Sequence, residues 1–392
     1  MGEKNLNFDR IIDRRNTRSL KYDFAVERGI PADNLPLWVA DMDFQVSSYI
    51  QEALMQAVNH GIFGYSDVKE EYFEPLRDWM ERHHNWKVEK KWLVKTPGVV
   101  FALAAAIRAF TQEGDGVIIQ QPVYYPFANV VKNNQRKLVV SNLILTEEGR
   151  YEMDFADFEE KIQKEQVKLF ILCSPHNPVG KVWNKKELEK IGDICLKHNV
   201  FVVSDEIHAD FAFKGSHTVF TNIKEEYQSM SMVCTSPSKT FNIAGLQISN
   251  IFIPDEKKRR LFAKQVYSTG YDEISLPALV ACEAAYRHGE EWLEGVRSYI
   301  QANAAYVRNF LQDKLPLVRL TEPEGTYLIW LDFRAYGLSD KELNQRIVHE
   351  AGLWLDGGGM FGPAGEGFQR INIACPRKTL KEAMNRLARV FK

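Results

Sequence analysis

A single lysine in a turn of small polar residues is the first candidate for chemistry. Lys239 lies in Thr-Ser-Pro-Ser-Lys-Thr-Phe-Asn, residues 235–242, directly after an apolar run. A lysine at the end of a strand, flanked by hydroxyl groups that can hydrogen-bond a phosphate, suits Schiff-base chemistry with an aldehyde cofactor. Taken alone, Lys239 is better interpreted as a solvated lysine in a Ser/Thr turn.

Two further polar residues follow apolar runs in the same way. Asn177 lies in Ser-Pro-His-Asn-Pro-Val-Gly, and a cis bond to Pro178 is expected there because X–Pro amides adopt cis at modest cost. Asp205 follows the next apolar run. A carboxylate leaving a buried strand is costly to bury unpaired, so Asp205 should meet a cation such as a pyridinium N–H. The alternative for Asp205 is a helix N-cap.

Weaker signals add places for a phosphate and a planar ring. Val99 and Val100 follow Gly98 at a predicted helix start, where free N–H groups can bind a phosphate. Tyr124, in Pro-Val-Tyr-Tyr-Pro, could hold its ring over a planar cofactor, and Tyr65 stands in a glycine-bracketed loop. Each of these segments is also explained as an ordinary turn or loop.

The elements that must position these residues are short apolar strands that alternate with helices. The strand candidates are residues 92–94, 117–119, 138–140, 168–173, 200–203, 232–235 and 248–253. The helix candidates are residues 47–59, 68–83, 99–110 and 184–198, the last with Asn184 and Glu187 as a capping pair. This alternation predicts an α/β fold with a mostly parallel sheet covered on both faces. Ligands of such sheets bind beyond the carboxyl ends of the strands.

The pattern changes after about residue 290. A smaller α+β unit is predicted from a helix over 290–314, strands over 326–333 and 368–374, a helix capped by Ser339 and Glu342, and a last helix from Thr379 with Glu382 completing its capping box. The expected organisation is an N-terminal arm over 1–46 that packs with the small domain, a large domain over 47–289 and a small C-terminal domain over 290–392.

Composition narrows the class of protein. Of the 392 residues, 45% are hydrophobic and 26% are charged, as in ordinary globular enzymes, and the formal charge of −2 gives no case for nucleic acid or anionic membrane binding. No targeting segment or membrane span is expected. The five cysteines are far apart, which favours buried free thiols in a reducing compartment, the cytoplasm. No spacing indicates a metal site.

Four separated motifs together carry a resemblance to a known family. They are Ser-Pro-His-Asn-Pro-Val-Gly, Ser-Asp-Glu-Ile-His, Ser-Pro-Ser-Lys-Thr-Phe-Asn and a late Arg-Ile-Asn that begins at Arg370. In this order they resemble the fold-type-I pyridoxal-phosphate enzymes of the class I/II aminotransferase family. The resemblance implies a large domain with a mostly parallel seven-stranded sheet and a smaller α+β domain. It also implies pyridoxal 5′-phosphate (PLP) as cofactor, an amino-acid substrate and a homodimer with shared active sites.

Within that family the chain is most similar to the carbon–sulfur lyase branch, the cystathionine β-lyases of the MalY/PatB type. The segment 38–44, Trp-Val-Ala-Asp-Met-Asp-Phe, is similar to the N-terminal signature of that branch. His208 stands where many transaminases carry tyrosine. Gln247 stands eight residues after Lys239, where many transaminases carry a phosphate-binding arginine.

The resemblance implies a role for each site residue. Lys239 would form the Schiff base with PLP and then act as acid and base on Cα, and Asp205 would keep the pyridine nitrogen protonated. Arg370 would bind the substrate α-carboxylate with two prongs, assisted by Asn177. The remaining contacts implied for the cofactor come from Val99, Val100, Tyr124, Asn177, His208, Ser236, Ser238 and, from a neighbouring subunit, Tyr65. Those implied for the substrate also include Tyr124 and Ala40.

The expected reaction is α,β-elimination on L-cystathionine or a related cysteine S-conjugate, which gives a thiol, pyruvate and ammonia and places the enzyme in methionine biosynthesis. A PLP-dependent aminotransferase is the alternative, since it needs the same Asn177, Asp205, Lys239 and Arg370. A third hypothesis is a protein of this fold that acts mainly as a regulatory partner. Replacing Lys239 with alanine separates this last role, which should survive the change.

Overall fold

The computed structural model describes residues 6–392 as alternating helices and strands over most of their length. The α-helices are α1 Ser48–His60, α2 Glu70–His84, α3 Val99–Phe110, α4 Pro126–Asn133, α5 Phe155–Lys164, α6 Lys185–Lys197, α7 Pro237–Thr240, α8 Glu256–Tyr267, α9 Leu276–His288, α10 Glu290–Lys314, α11 Asp340–Gln345 and α12 Arg377–Val390. The strands are β1 Leu35–Pro36, β2 Leu93–Thr96, β3 Gly116–Gln121, β4 Lys137–Asn142, β5 Ile144–Leu145, β6 Tyr151–Glu152, β7 Val167–Cys173, β8 Phe201–Asp205, β9 Ser231–Thr235, β10 Ser249–Phe252, β11 Arg319–Thr321, β12 Leu328–Asp332, β13 Leu353–Trp354, β14 Asp356–Gly357 and β15 Phe368–Asn372.

Seven strands form the central sheet in the order β2-β10-β9-β8-β7-β3-β4. The pairs β9–β8, β8–β7, β7–β3 and β3–β4 are parallel, whereas β10 runs antiparallel to both of its neighbours. Helical crossovers are what parallel neighbours require, and they place helices on both faces of a sheet. The predicted α/β class with a mostly parallel seven-stranded sheet is confirmed.

Both faces of this sheet are buried under helices. In β7, Leu169 and Ile171 point to one hydrophobic core, while Phe170 and Leu172 point to the other, and all four are at most 1% exposed. Helices α3, α4 and α8 contribute to the first core, and α5 and α6 to the second. Residues 169–173 of this strand are buried on both faces, which explains their continuous apolar sequence.

A four-stranded antiparallel sheet forms the core of the smaller unit, in the order β11-β12-β15-β14. Helices α10 and α12 contribute buried apolar residues beside it. Strand β1 of the N-terminal segment pairs in parallel with β13 of this unit. This pairing supports an N-terminal arm that packs with the smaller unit, and we propose domain boundaries at residues 46 and 289. Residues 1–5 of the predicted arm lie outside the described residues.

Four charged side chains anchor the N-terminal segment. Lys21 is fully buried, and its Nζ lies 2.9 Å from Asp43 Oδ2 and 3.7 Å from Asp41 Oδ1. Arg14 donates to Asp41 at 2.6 and 2.9 Å and to Asp43 at 2.8 Å. Because buried charges are tolerated only when paired, this cluster fixes the backbone around residue 41.

Local signals predicted several elements well and one poorly. Helices α3 and α10 have the predicted bounds, and Asn184 and Glu187 form the predicted capping box of α6. The prediction that the last helix begins at Thr379 is wrong, because α12 begins at Arg377 after Pro376. All five cysteines are free and buried, as predicted. Within residues 6–392, no helix combines the length and apolar character needed to cross a membrane.

Helix α3, which begins at the edge of the central sheet, stabilises the fold through its buried face. Leu103 of α3 is fully buried, whereas Leu261 of the neighbouring helix α8 is 48% exposed. Leu103→Ala should lower the free energy of unfolding by about 2–5 kcal/mol because it leaves a cavity. The matched change Leu261→Ala should cost less than about 1 kcal/mol. Urea-induced unfolding followed by circular dichroism measures both, and equal losses would contradict the assigned core.

Candidate active site

A cavity of about 360 Å³ opens at the carboxyl edge of the central sheet. It lies where β2, β3, β7, β8 and β9 end, since the segments that follow these strands line it. The predicted residues that line the cavity are Ala40, Val99, Val100, Tyr124, Asn177, Asp205, His208, Ser238 and Lys239. The structure therefore brings together residues that are up to 199 positions apart in the sequence.

The Lys239 amine is held by the backbone of the N-terminal segment. Its Nζ donates a hydrogen bond of 2.7 Å to the carbonyl oxygen of Ala40. Burial lowers the pKa of Lys239 to about 8; the Asp41 carboxylate opposes that shift, Arg370 adds to it, and Asp205 opposes it weakly. An amine with this pKa is partly neutral near pH 8, which a nucleophile and a proton acceptor require.

The Ala40 carbonyl is itself fixed from several sides. The Tyr327 hydroxyl donates to the same oxygen at 3.0 Å. Asn372 Nδ2 donates to the carbonyl oxygens of Val39 and Asp41 at 2.7 and 2.5 Å. With the Arg14 and Lys21 ion pairs to Asp41, these contacts hold residues 39–41 in place, and Ala40 of this segment lines the cavity.

Asp205 is a buried carboxylate that calls for a cationic partner. Asp205 is 5% exposed, and its Oδ1 accepts a hydrogen bond from the Ile207 N–H at 3.2 Å. Within residues 6–392 it forms no ion pair, and burial raises its pKa to about 7. A ligand that presents a cationic N–H here would keep the carboxylate ionised, because an opposite charge favours the charged form. This geometry fits a protonated pyridine nitrogen.

Asn177 lines the cavity, whereas Arg370 does not line it and is connected to it through Asn177. The peptide bond between Asn177 and Pro178 is cis, as expected. Asn177 Oδ1 accepts from Arg370 Nη1 at 3.0 Å, and the Trp38 carbonyl oxygen accepts from Arg370 Nη2 at 2.9 Å. These two bonds fix the orientation of the guanidinium. Arg370 is also buried, with only 2% of its surface exposed.

The start of helix α3 offers donors for an anion. Helix α3 has no side-chain cap, and its first intrahelical bond runs from Ala102 N to the Gly98 carbonyl oxygen, so the N–H groups of Val99 and Val100 have no intrahelical acceptor. Ser238 and Gln247 line the same cavity. Such a helix start binds phosphate readily.

Ser236 has hydrogen-bond partners within the protein, and its phosphate contact stays a prediction. Its hydroxyl accepts the Ser238 N–H at 3.1 Å as the cap of α7 and lies 2.7 Å from the Ile248 carbonyl oxygen. Because the hydroxyl is used within the protein, it supports the turn that carries Lys239. The residues that line the cavity include Ser238 and not Ser236.

His208 and Tyr65 differ in their relation to the cavity. His208 is buried, its ring lies edge-on to Tyr327, and its Nδ1 has no partner among the described residues. Burial lowers the pKa of His208 to about 3, so the imidazole is neutral. Tyr65 is 94% exposed and does not line the cavity of its own chain.

Two further residues at this site carry no strand-end signal in the sequence. Tyr327 is fully buried and holds the Ala40 carbonyl, and Asp356 forms an ion pair with Arg370. Neither lies at the carboxyl end of a strand of the central sheet. The strand-end rule that pointed to Asn177 and Asp205 therefore does not predict them. A carboxylate followed by three glycines, Asp356 to Gly359, was the available signal.

Comparisons with known proteins agree with the motifs. A family model described as aminotransferase class I and II matches residues 34–387. Cystathionine beta-lyase PatB of Bacillus subtilis is 44% identical over 383 residues, which cover 97% of this chain and 99% of PatB. A PLP-bound putative aminotransferase from Clostridium difficile 630 superposes with a TM-score of 0.96 and 44% identity, covering 99% of this chain and 100% of that chain.

A solved carbon–sulfur lyase has the same fold. The PLP-bound C–S lyase from Staphylococcus hominis superposes with a TM-score of 0.92 and 33% identity, covering 99% of this chain and 98% of that chain. Similarity over nearly the full length of each protein confirms the family predicted from the four motifs. The chain belongs to the aminotransferase class I and II family.

Proposed function

We propose that this protein is a PLP-dependent β-lyase that cleaves L-cystathionine or related cysteine S-conjugates into a thiol, pyruvate and ammonia. The observation that carries the proposal is the cavity that brings together the Lys239 amine, the buried Asp205 carboxylate and Asn177, whose amide oxygen accepts a hydrogen bond from Arg370. The 44% identity to a protein named cystathionine beta-lyase supports this substrate class.

The residues present fit PLP. When bound, this cofactor supplies an aldehyde for the amine and an electron-accepting ring. Lys239 would hold the aldehyde carbon, Asp205 the ring N–H, and Asn177 and neutral His208 the edge of the ring. Val99, Val100 and Ser238 would bind the phosphate at the start of α3, and Tyr124 would lie against the ring.

The chain's own groups can perform the proton transfers of an elimination. Arg370 would hold the substrate α-carboxylate, assisted by Asn177. Tyr124 and Ala40 would line the space that the substrate occupies. Lys239 would take the proton from Cα, and the Ala40 carbonyl would then accept a hydrogen bond from the resulting ammonium. The Cβ–S bond breaks, the thiolate takes up a proton, and the released aminoacrylate reacts with water to give pyruvate and ammonia.

Three sequence features favour the lyase over the aminotransferase. The segment 38–44 contacts both Lys239 and Arg370, since the Ala40 carbonyl oxygen accepts from Lys239 and the Trp38 carbonyl oxygen accepts from Arg370. His208 and Gln247 replace the tyrosine and arginine of many transaminases and line the cavity. With cystathionine the thiol is homocysteine, which supports a role in methionine biosynthesis, and five free thiols support a cytoplasmic location.

Elimination is tested by incubating the purified protein with PLP and L-cystathionine and no keto acid. We expect pyruvate and homocysteine in equal amounts. Lys239→Ala should reduce the rate by at least about 1,000-fold, because it removes the proton acceptor on Cα. Circular dichroism checks that the variant is folded. If neither pyruvate nor thiol forms, and a second assay with an amino donor and a keto acid consumes the two in equal amounts, the protein is an aminotransferase instead.

The pH dependence of cofactor attachment follows from the pKa of Lys239. Burial places this pKa at about 8, and only the neutral amine attacks an aldehyde. The rate at which the cofactor-free protein forms its visible absorbance band with PLP should therefore rise between pH 7 and 9, with a midpoint near 8. Borohydride reduction and peptide mapping should place the label on Lys239. A flat profile over this range would contradict the lowered pKa.

We further propose a homodimer in which Tyr65 completes the partner's active site. Tyr65 is 94% exposed, and the neighbouring Ile62 and Phe63 are 68% and 60% exposed on the same loop. Apolar side chains gathered on an exposed loop mark a surface for protein contact.

Mixed dimers test the shared site. Lys239→Ala and Tyr65→Ala should each be impaired alone. If Tyr65 serves the partner, each mixed dimer contains one intact site, and an equal mixture after subunit exchange should recover about one quarter of wild-type activity. Activity equal to the mean of the two variants, or a monomer on light scattering, would contradict this arrangement.

A further inference from the structure

Asp356 is a buried carboxylate that faces the guanidinium of Arg370. The two residues are direct partners across the antiparallel pair β14–β15. Arg370 Nη2 donates to Asp356 Oδ2, and the two side chains are only 3% and 2% exposed. A carboxylate this deeply buried is stable as an ion only beside a cation, so the two charges depend on each other.

Three of the five N–H groups of the guanidinium have acceptors within the protein, and both N–H groups of Nη2 are among them. Nη1 donates to Asn177, and Nη2 donates to the Trp38 carbonyl oxygen as well as to Asp356. The guanidinium carbon lies 4.9 Å from the centre of the Phe361 ring. Among the described residues, Nε is the buried donor of Arg370 that lacks a partner. The arginine is therefore held in place, and part of its charge is already neutralised.

A second carboxylate at this arginine would meet a like charge. A substrate α-carboxylate that takes two N–H groups of Arg370 must share the Nη2 side with Asp356 or approach beside it. Two carboxylates around one guanidinium repel each other at short range, and the low polarity of a buried site strengthens that repulsion. Asp356 therefore fixes the orientation of Arg370 and at the same time weakens the attraction of Arg370 for the substrate carboxylate.

We propose that Asp356 is a positioning residue that holds Arg370 ready for a carboxylate and at the same time lowers the affinity of the site for the substrate α-carboxylate. This inference rests on the proposed function, in which Arg370 binds that group. Asp356 acts through Arg370, so its effect is confined to ligands that carry a carboxylate.

The experiment compares two ligands that lack a leaving group. L-alanine carries the carboxylate, and L-alanine methyl ester does not. Their dissociation constants are measured from the absorbance of the PLP-loaded protein. Asp356→Asn keeps an oxygen for the Arg370 hydrogen bond and removes the negative charge. It should bind L-alanine about tenfold more tightly than the wild type and leave the affinity for the ester unchanged.

Asp332→Asn is the matched control. Asp332 lies in β12 opposite Phe368 of β15, and it pairs with Arg334 at 2.8 Å rather than with Arg370. Neutralising it should move neither dissociation constant. The cofactor-free Asp356→Asn protein should unfold at a lower temperature than the wild type, because a buried arginine loses its counter-charge.

Weaker binding of L-alanine by Asp356→Asn, or an equal change for the ester, would overturn the proposal. If Asp356→Asn does not fold, Asp356→Ser tests the same loss of charge. Failure of both to fold would also overturn it, because a residue that tunes affinity must be dispensable for folding. Wild-type protein that binds no PLP or releases no pyruvate would refute the proposed function instead.

Discussion

Burial of the central sheet on both faces is the constraint on which the rest of the structure depends. Strand β8, for example, has five buried residues, and the first four are Phe201, Val202, Val203 and Ser204. A charged side chain in the middle of such a strand would be buried without water, so charged groups are favoured at the strand ends. The parallel direction of β9, β8, β7 and β3 then brings those ends to one edge. The chemistry of the protein is concentrated there for this reason.

The second organising feature is the pairing of buried cations with oxygen atoms of the N-terminal segment. Lys239 and Arg370 come from different parts of the chain, yet the carbonyl oxygens that they bind belong to Ala40 and Trp38. That segment is fixed by the ion pairs of Lys21 and Arg14 and by Asn372. A segment held by buried charges keeps its carbonyl groups in place, which fixes the orientation of the two functional cations.

Much of the fold was predictable because its signals are local. Continuous apolar runs mark the buried strands, and the capping box of Asn184 and Glu187 marks the start of α6. Helices α4, α5, α8 and α9 were not predicted, although their apolar faces are buried. The start of α12 was misplaced because Thr379 and Glu382 resemble a capping box, whereas Pro376 stands at the cap. Several signals for a helix start can occur within one turn, and tertiary packing selects among them.

The sequence by itself determined which residues could form the site. Asn177 and Lys239 follow buried strands and Asp205 ends one, so the strand-end rule makes them candidates, and the four family motifs together select them. Tertiary structure decided how these groups are held. The Ala40–Lys239 bond spans 199 positions, and the Trp38–Arg370 bond spans 332. The pairing of Arg370 with Asp356, the internal use of Ser236 and the exposure of Tyr65 likewise depend on the packing of the folded chain. Side-chain types and strand ends are local properties of the chain, whereas hydrogen-bond partners and burial exist only once distant segments meet.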